Sequence, residues 1–399
     1  MRRLSLSFVA PAAMLAAQIV ISFASIVGPV LAPLAAADLG VDPELVGFHV
    51  ALVYGVCAAS SLLSGGFIRR FGPLRVVQSS LALGGLAMAI FALGSIPAVL
   101  LGAVVLGCCY GPMTPSSSQI LQRTTPAERI NIVFSIKQTG VPGGTFLAGL
   151  VLPGLAGLIG WRAALLGLAV VAVAFAIALQ PLRRDLDTER DPQRPVLRFA
   201  QLGALLAQTL RTPELRRLTL ISICYAGMQQ ALAGFLVVYL TTRIGLPLVV
   251  AGALLAASQG AGALGRLVWG AVADRVGRPQ RVLALLGLGM TGSALLAGAF
   301  APGWPVAAIA AVCILFGATA TGWNGVYLAQ VARLAPPGQA GELTGASNFF
   351  GFAGVMVMPA VFSAILATTG SYAAAFATIA AATGLCALAL LRTDRQAAR

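Results

Sequence analysis

Residues 270–281 read GAVADRVGRPQR and residues 65–76 read GGFIRRFGPLRV. Gly65, Arg70 and Gly72 stand where Gly270, Arg275 and Gly277 stand 205 residues later, and Arg69 stands where Asp274 does. Each stretch follows a long apolar run and precedes another. A charged turn between two such runs belongs at a membrane surface, and two copies of it point to a duplicated unit.

Composition agrees with a membrane location. Of 399 residues 58% are hydrophobic and 10% are charged, too apolar a balance for a water-soluble chain of this length. Runs of about 20 apolar residues, enough to cross about 30 Å of hydrocarbon, recur from end to end. They place twelve spans near 9–36, 43–68, 73–94, 97–121, 130–153, 160–181, 218–242, 247–272, 280–300, 304–331, 342–367 and 371–391. The domain organisation read from them is an N-terminal six-helix half (1–181), a charged linker (182–217, containing RRDLDTERDPQR) and a C-terminal six-helix half (218–399).

The net charge of +14 does not signal nucleic acid, because its distribution follows the spans. Arg2, Arg3, Arg69, Arg70, Arg75, Arg123, Arg129, the linker arginines, Arg275, Arg278, Arg281, Arg333, Arg392, Arg395 and Arg399 fall on one side of the twelve-span arrangement. Arg162 and Arg243 fall on the other. This positive-inside bias puts both termini and the linker in the cytoplasm. Arginine almost wholly replaces lysine and alanine is abundant, which suggests a bacterial inner membrane. The first apolar run is longer than a secretory signal's roughly 7 to 15 residues. The six cysteines lie within spans with no metal-ligand clustering, and neither a cofactor motif nor a catalytic constellation is found.

The repeat extends beyond the charged turn. A 205-residue shift places Gly40 on Gly245 and Gly47 on Gly252. After the third span the shift becomes 210 and places Gly107 on Gly317, Arg123 on Arg333, Pro126 on Pro336, Gly144 on Gly354 and Gly160 on Gly370. Two six-helix halves in the same orientation form a parallel repeat, as in many secondary carriers.

GAVADRVGR after the eighth span resembles the loop motif of the major facilitator superfamily, and its degenerate copy after the second span lies where that family also carries one. The resemblance covers the whole chain. It implies an all-α membrane protein with twelve transmembrane helices, and a carrier whose fifth and eighth spans face one another across the halves. It also implies gating roles for Gly270, Asp274, Arg275, Gly277 and Arg278. Asp274 is expected to pair with Arg333 in its own half. In the first copy Arg69 would face Arg123, and Arg69 or Arg70 is expected to pair instead with Glu342, a charge-swapped latch.

Two ionisable residues fall deep within spans: Lys137, the one lysine of the chain, in the fifth (NIVFSIKQTGVPGG), and Arg266 in the eighth (GALGRLVWGAVADR). Each lies about 12 Å inside the same boundary. A charge in the bilayer costs at least about 2.5 to 3.5 kcal/mol, so the residue calls for a function or a partner. All twelve acids lie in loops or at span ends, so the missing negative charge is expected to come with the substrate. The structural alternatives are Arg266 bonded to backbone carbonyls and Lys137 held as a neutral amine. Arg266, four residues before Gly270, resembles the arginine of the superfamily's oxalate/formate, monocarboxylate and nitrate carriers. Their second cation, in the oxalate exchangers, lies in the eleventh span, where the repeat here puts Ser347.

Polar neighbours for such a site are Gln18, Tyr54, Tyr110, Gln138, Tyr225, Gln229, Gln259, Trp323, Asn324 and Asn348, each of which also suits helix-to-helix bonding. The expected function is secondary transport of a small organic anion, a carboxylate, by a monomer in the bilayer, coupled to protons or to anion exchange. The alternatives are a proton-driven exporter of neutral or cationic compounds and a non-transporting sensor.

Overall fold

The computed structural model describes residues 2–126, 130–188, 190–193, 199–334 and 340–397. Among these no strand occurs. The chain divides into two compact units: one of residues 1–40 and 52–199, the other of residues 41–51 and 200–399. The first turns of the second span thus pack with the C-terminal unit, while the rest of that helix belongs to the N-terminal one.

The N-terminal unit contains α1 (Arg2–Leu39), the greater part of α2 (Val46–Phe71), α3 (Pro73–Phe91), α4 (Ile96–Thr124), α5 (Ile130–Gln138), α6 (Gly140–Ile159), α7 (Trp161–Ala178) and the short α8 (Arg183–Leu186). After α9 (Phe199–Arg211), the C-terminal unit contains α10 (Pro213–Thr242), α11 (Leu248–Val276), α12 (Pro279–Gly298), α13 (Val306–Ala320), α14 (Asn324–Leu334), α15 (Ala340–Thr369) and α16 (Tyr372–Ala397). Among the described residues twelve spans are long and apolar enough to cross a bilayer, and large apolar side chains such as Leu158, Val170 and Ile177 stand exposed on their outer faces, as a lipid-facing surface requires. The region read as a linker from 182 to 217 is partly helical, carrying α8, α9 and the first turn of α10.

Helix breaks fall inside the fifth and the tenth span. The fifth is parted at Thr139 into α5 and α6, and the tenth at Thr321–Trp323 into α13 and α14. Each remains one of the spans long and apolar enough to cross a bilayer, as read at 130–153 and 304–331. Gly322, flanked by Thr321 and Trp323, supplies the second break: small and polar residues there let the neighbouring helix take over the freed backbone groups.

The duplication is visible in how each unit packs. In the N-terminal unit a Cβ added at Gly107 would stand 2.5 Å from the Val53 carbonyl oxygen, and one at Gly144 would stand 2.4 Å from that of Ile19. In the C-terminal unit the repeat-related Gly317 and Gly354 lie 1.9 Å from the Ser258 oxygen and 2.0 Å from the Ile223 oxygen by the same construction. Val53 and Ser258 are themselves partners under the 205-residue shift. The matched glycines therefore mark helix pairs whose backbones touch, and only hydrogen fits between them.

The turn of the first motif copy is held by an acid from elsewhere in the chain. Gly72 adopts φ +95°, starting α3 at Pro73 with unsatisfied N–H groups. Asp187 Oδ1 accepts from Leu74 N–H at 2.7 Å and Oδ2 from Arg75 N–H at 3.1 Å and Arg183 Nε at 3.3 Å. Asp187 is buried. Replacing it by alanine would strand two backbone donors at the start of α3 and an arginine, and is expected to cost about 2 kcal/mol of stability, read as a lower unfolding temperature of the purified protein.

The same segment engages Arg123, whose guanidinium donates to the Leu186 carbonyl and the Thr188 hydroxyl, while the Arg69 carbonyl accepts from Asp191 N–H at 2.8 Å.

Within the C-terminal unit, residues 41–51 are seated by a polar cluster. Gly47 N–H donates to Ser363 Oγ at 3.1 Å, Ser363 Oγ donates to the Glu44 carbonyl, and Arg243 Nε donates to Glu44 Oε1 at 3.1 Å. The Glu44 carboxylate raises the Arg243 pKa further above its ordinary high value, so the arginine stays charged across the physiological range. A Cβ at Gly47 would meet the Pro359 carbonyl oxygen at 2.2 Å, which keeps this contact glycine-dependent.

Candidate substrate site

Each unit has a broken span with a cation beside it. In the N-terminal unit Lys137 lies in the last turn of α5, just before the break at Thr139, and is 2% exposed. Its Nζ is 3.5 Å from Gln138 Oε1. One residue beyond the break, Gly140 abuts α1 so closely that an added Cβ would lie 2.9 Å from Gln18 Cβ. Gln18 is buried, donates through Nε2 to Ser22 Oγ at 3.1 Å, and keeps a buried Oε1 with no hydrogen-bond partner among the described residues. Tyr54 and Tyr110 meet edge to face, their ring centroids 5.7 Å apart.

The break in span ten organises the C-terminal unit. Helix α13 ends there with carbonyls that lack intrahelical partners and with the negative end of its dipole. Side chains of α11 take up those carbonyls: Arg266 Nε donates to the Thr321 oxygen at 3.0 Å and Trp269 Nε1 to the Ala318 oxygen at 3.0 Å. Close approach of α11 makes this possible, since a Cβ at Gly262 would stand 2.5 Å from Thr321 Cβ and one at Gly265 would stand 2.6 Å from the Ala318 oxygen. The backbone-bonded alternative for Arg266 is therefore present through Nε, and that bond also fixes the plane of the guanidinium fork.

From the far side of the same break, Trp323 Nε1 and Asn324 Nδ2 both donate to Gln229 Oε1 of α10, each at 3.2 Å. The indole N–H is only a donor, so the atom it meets must be the amide oxygen. Both bonds fall on that oxygen, which turns the Gln229 NH2 group the other way. Trp323 also meets the edge of Tyr225 with ring centroids 5.6 Å apart and packs on Tyr327 at 5.1 Å. The Tyr225 hydroxyl is taken by the Leu283 carbonyl at 2.9 Å. Gln259, two turns before Arg266 on α11, has a buried Nε2 with no hydrogen-bond partner among the described residues, as does the Thr321 hydroxyl.

Of the residues singled out in the sequence, Arg266, Gln229, Tyr225, Trp323 and Asn324 are brought together at one break in one unit. Trp269 and Thr321 belong to the same group and were missed. The signal for Thr321 was present in TATGWNG (319–325), turn-forming residues inside an apolar span.

The gating residues are distributed differently. Gly277 takes φ +64° and caps α11, its N–H donating to the Ala273 oxygen, which explains the glycine of the motif. A Cβ at Gly270 would meet nothing within 4 Å. Arg69, Arg70, Arg123, Arg275 and Arg278 are exposed. The side chains of Asp274, Arg333, Glu342 and Asn348 lie outside the described residues, and with them the expected Asp274–Arg333 and Arg69–Glu342 pairs.

Comparison with known proteins accords with this architecture. The sequence profile described as Major Facilitator Superfamily matches residues 13–359. The chain belongs to the major facilitator superfamily. It is a multi-pass membrane transporter rather than an enzyme. Among solved structures it is similar to a peptide transporter POT in complex with sulfate (16% identity, 97% of this chain and 94% of that one, TM-score 0.76). It is also similar to a POT family transporter in complex with 5-aminolevulinic acid (12% identity, 97% and 96%, TM-score 0.74), and to a bacterial homolog of the human lysosomal transporter Spinster (15% identity, 96% and 94%, TM-score 0.68). At these identities the likeness concerns the fold. A comparison with curated proteins finds no match.

Proposed function

We propose that this transporter carries a small organic anion, a carboxylate, by alternating access, with Lys137 and Arg266 supplying the positive charge that the anion meets. The observation that supports this reading most directly is the donor character of the span-ten break. Arg266 brings its charge to that break through Nε on the Thr321 oxygen, and Gln229, whose oxygen accepts from Trp323 and Asn324, turns its NH2 group the other way. A carboxylate accepts from such groups, and a planar guanidinium can hold it bidentately. In the sequence the twelve acidic residues fall outside the interiors of the long apolar runs, which leaves a carboxylate within the bilayer for the substrate to provide.

On this reading the protein works as a monomer in a bacterial inner membrane, with both termini on the cytoplasmic side, and is driven by proton symport or by exchange for a second anion. Its test is uptake of labelled mono- and dicarboxylates, with cationic and neutral compounds alongside, into proteoliposomes. Carboxylate uptake is expected, falling about ten- to hundredfold in Lys137→Ala and in Arg266→Ala, the effect of removing a charged hydrogen bond. Uptake of cations alone would favour an exporter of cationic compounds. Carboxylate flux equal to the parent's in both variants would remove the two cations from the mechanism.

A further inference from the structure

At the end of span six the N-terminal unit has a cleft of about 700 Å³ that the transport site does not use. Ile177, Gln180, Arg183, Arg184, Asp187 and Arg190 line it. Its one acid is already engaged: the two oxygens of Asp187 accept from Leu74 N–H, Arg75 N–H and Arg183 Nε. Arg184 and Arg190 are exposed, so the cleft presents positive charge.

Gln180 adds an oriented donor. Gln78 Nε2 donates to the Ala176 carbonyl at 2.9 Å, which identifies it as the amide nitrogen. The Gln180 atom it meets at 3.0 Å is therefore the oxygen, and the Gln180 NH2 group is left to face other acceptors. The cleft thus combines guanidinium forks and an amide donor, a set suited to phosphate oxygens.

The approach to the cleft is apolar. Leu166, Val170, Val173 and Ile177 repeat at helical spacing along α7, with exposures of 50%, 68%, 39% and 67%. This stripe runs along the outer face of span six and ends at the arginines. A ligand that fits both parts has an anionic head and a hydrocarbon tail.

We propose that this cleft binds the phosphodiester headgroup of an anionic phospholipid, whose acyl chain lies along the α7 stripe. Basic pockets at the ends of transmembrane helices suit such headgroups. The bound lipid would brace the Asp187 clasp that starts α3, linking membrane composition to the first motif copy. The site stands apart from the anion reading of the transport site and does not depend on it.

The test measures lipid retained by the purified full-length protein after reconstitution in phosphatidylcholine nanodiscs containing phosphatidylglycerol. Preferential retention of phosphatidylglycerol is expected, reduced about thirtyfold in affinity in Arg184→Gln/Arg190→Gln, at roughly one factor of five to six per arginine near an anionic surface. Those exposed substitutions leave the Arg183–Asp187 contact intact. Ile177→Asn, which leaves the charges unchanged, is expected to weaken retention through the acyl chain alone. Equal retention of the two lipids, or undiminished retention in both variants, would overturn the proposal. Inorganic phosphate displacing the lipid at comparable concentration would overturn it too, as it would reveal a site for free phosphate.

Discussion

Gly317→Val is expected to abolish recovery of monodisperse protein, and Gly317→Ala to lower the apparent unfolding temperature by roughly 5 °C or more. The alanine Cβ would stand 1.9 Å from the Ser258 carbonyl oxygen and 2.5 Å from its carbonyl carbon. Both obstacles are backbone, so no rotamer change relieves the clash, and α11 or α13 must move. Overpacking of this kind costs about 1–3 kcal/mol where the surroundings yield and more where they do not. Here they have little room, because the next turn toward the break is also tight: a Cβ at Gly262 would meet Thr321 Cβ at 2.5 Å and the Gly317 oxygen at 2.9 Å. Gly107→Val should behave alike through its repeat-related contact with Val53. Gly157→Ala is the control, with nothing within 4 Å of the added carbon. It should be neutral or stabilising by about 0.5–1 kcal/mol, since it removes a flexible residue from a helix. Normal size-exclusion profiles and unfolding temperatures for both valine variants would refute the claim that the matched glycines mark backbone contact.

The same glycines explain why the architecture could be read from the sequence. A position where two backbones touch admits hydrogen alone, and duplication left that requirement in both halves, so a shift of the chain against itself brought the contacts into register. The spans were legible because hydrocarbon selects long apolar runs. Side-chain partners were not. The partners of Arg123, Leu186 and Thr188, come from the segment after α7, which folds back on the first motif copy and supplies Asp187 to the start of α3. No local pattern connects Asp187 with Leu74, 113 residues away. The break at Thr321–Trp323 was missed for a different reason: hydropathy averages over it, and only the glycine and hydroxyl within an apolar run betray it. The residues gathered there were mostly named, whereas their orientation required the tertiary structure.

That orientation carries the sharpest expectation about substrate. Gln229→Glu is expected to lower carboxylate uptake more than about a hundredfold, while leaving the protein folded. The glutamate retains an oxygen to accept from Trp323 Nε1 and Asn324 Nδ2, as Gln229 does at 3.2 Å. On its other side it puts a negative oxygen in place of two N–H donors, and like charges brought together in an interface cost several kcal/mol. Gln229→Met removes donor and acceptor together, and the expected loss is nearer tenfold, that of one hydrogen bond to a charged group. Trp323→Phe keeps the ring against Tyr225 and Tyr327 but removes the donor that fixes the amide. With Asn324 still in place, a loss of about threefold is expected, within the range for one neutral hydrogen bond. The order Glu, then Met, then Phe in severity is what an oriented donor demands. A generic packing role predicts the reverse for the first two, because glutamate matches glutamine in shape and methionine does not. Should Gln229→Glu carry carboxylate as well as the parent does, the amide would have no part in choosing an anion.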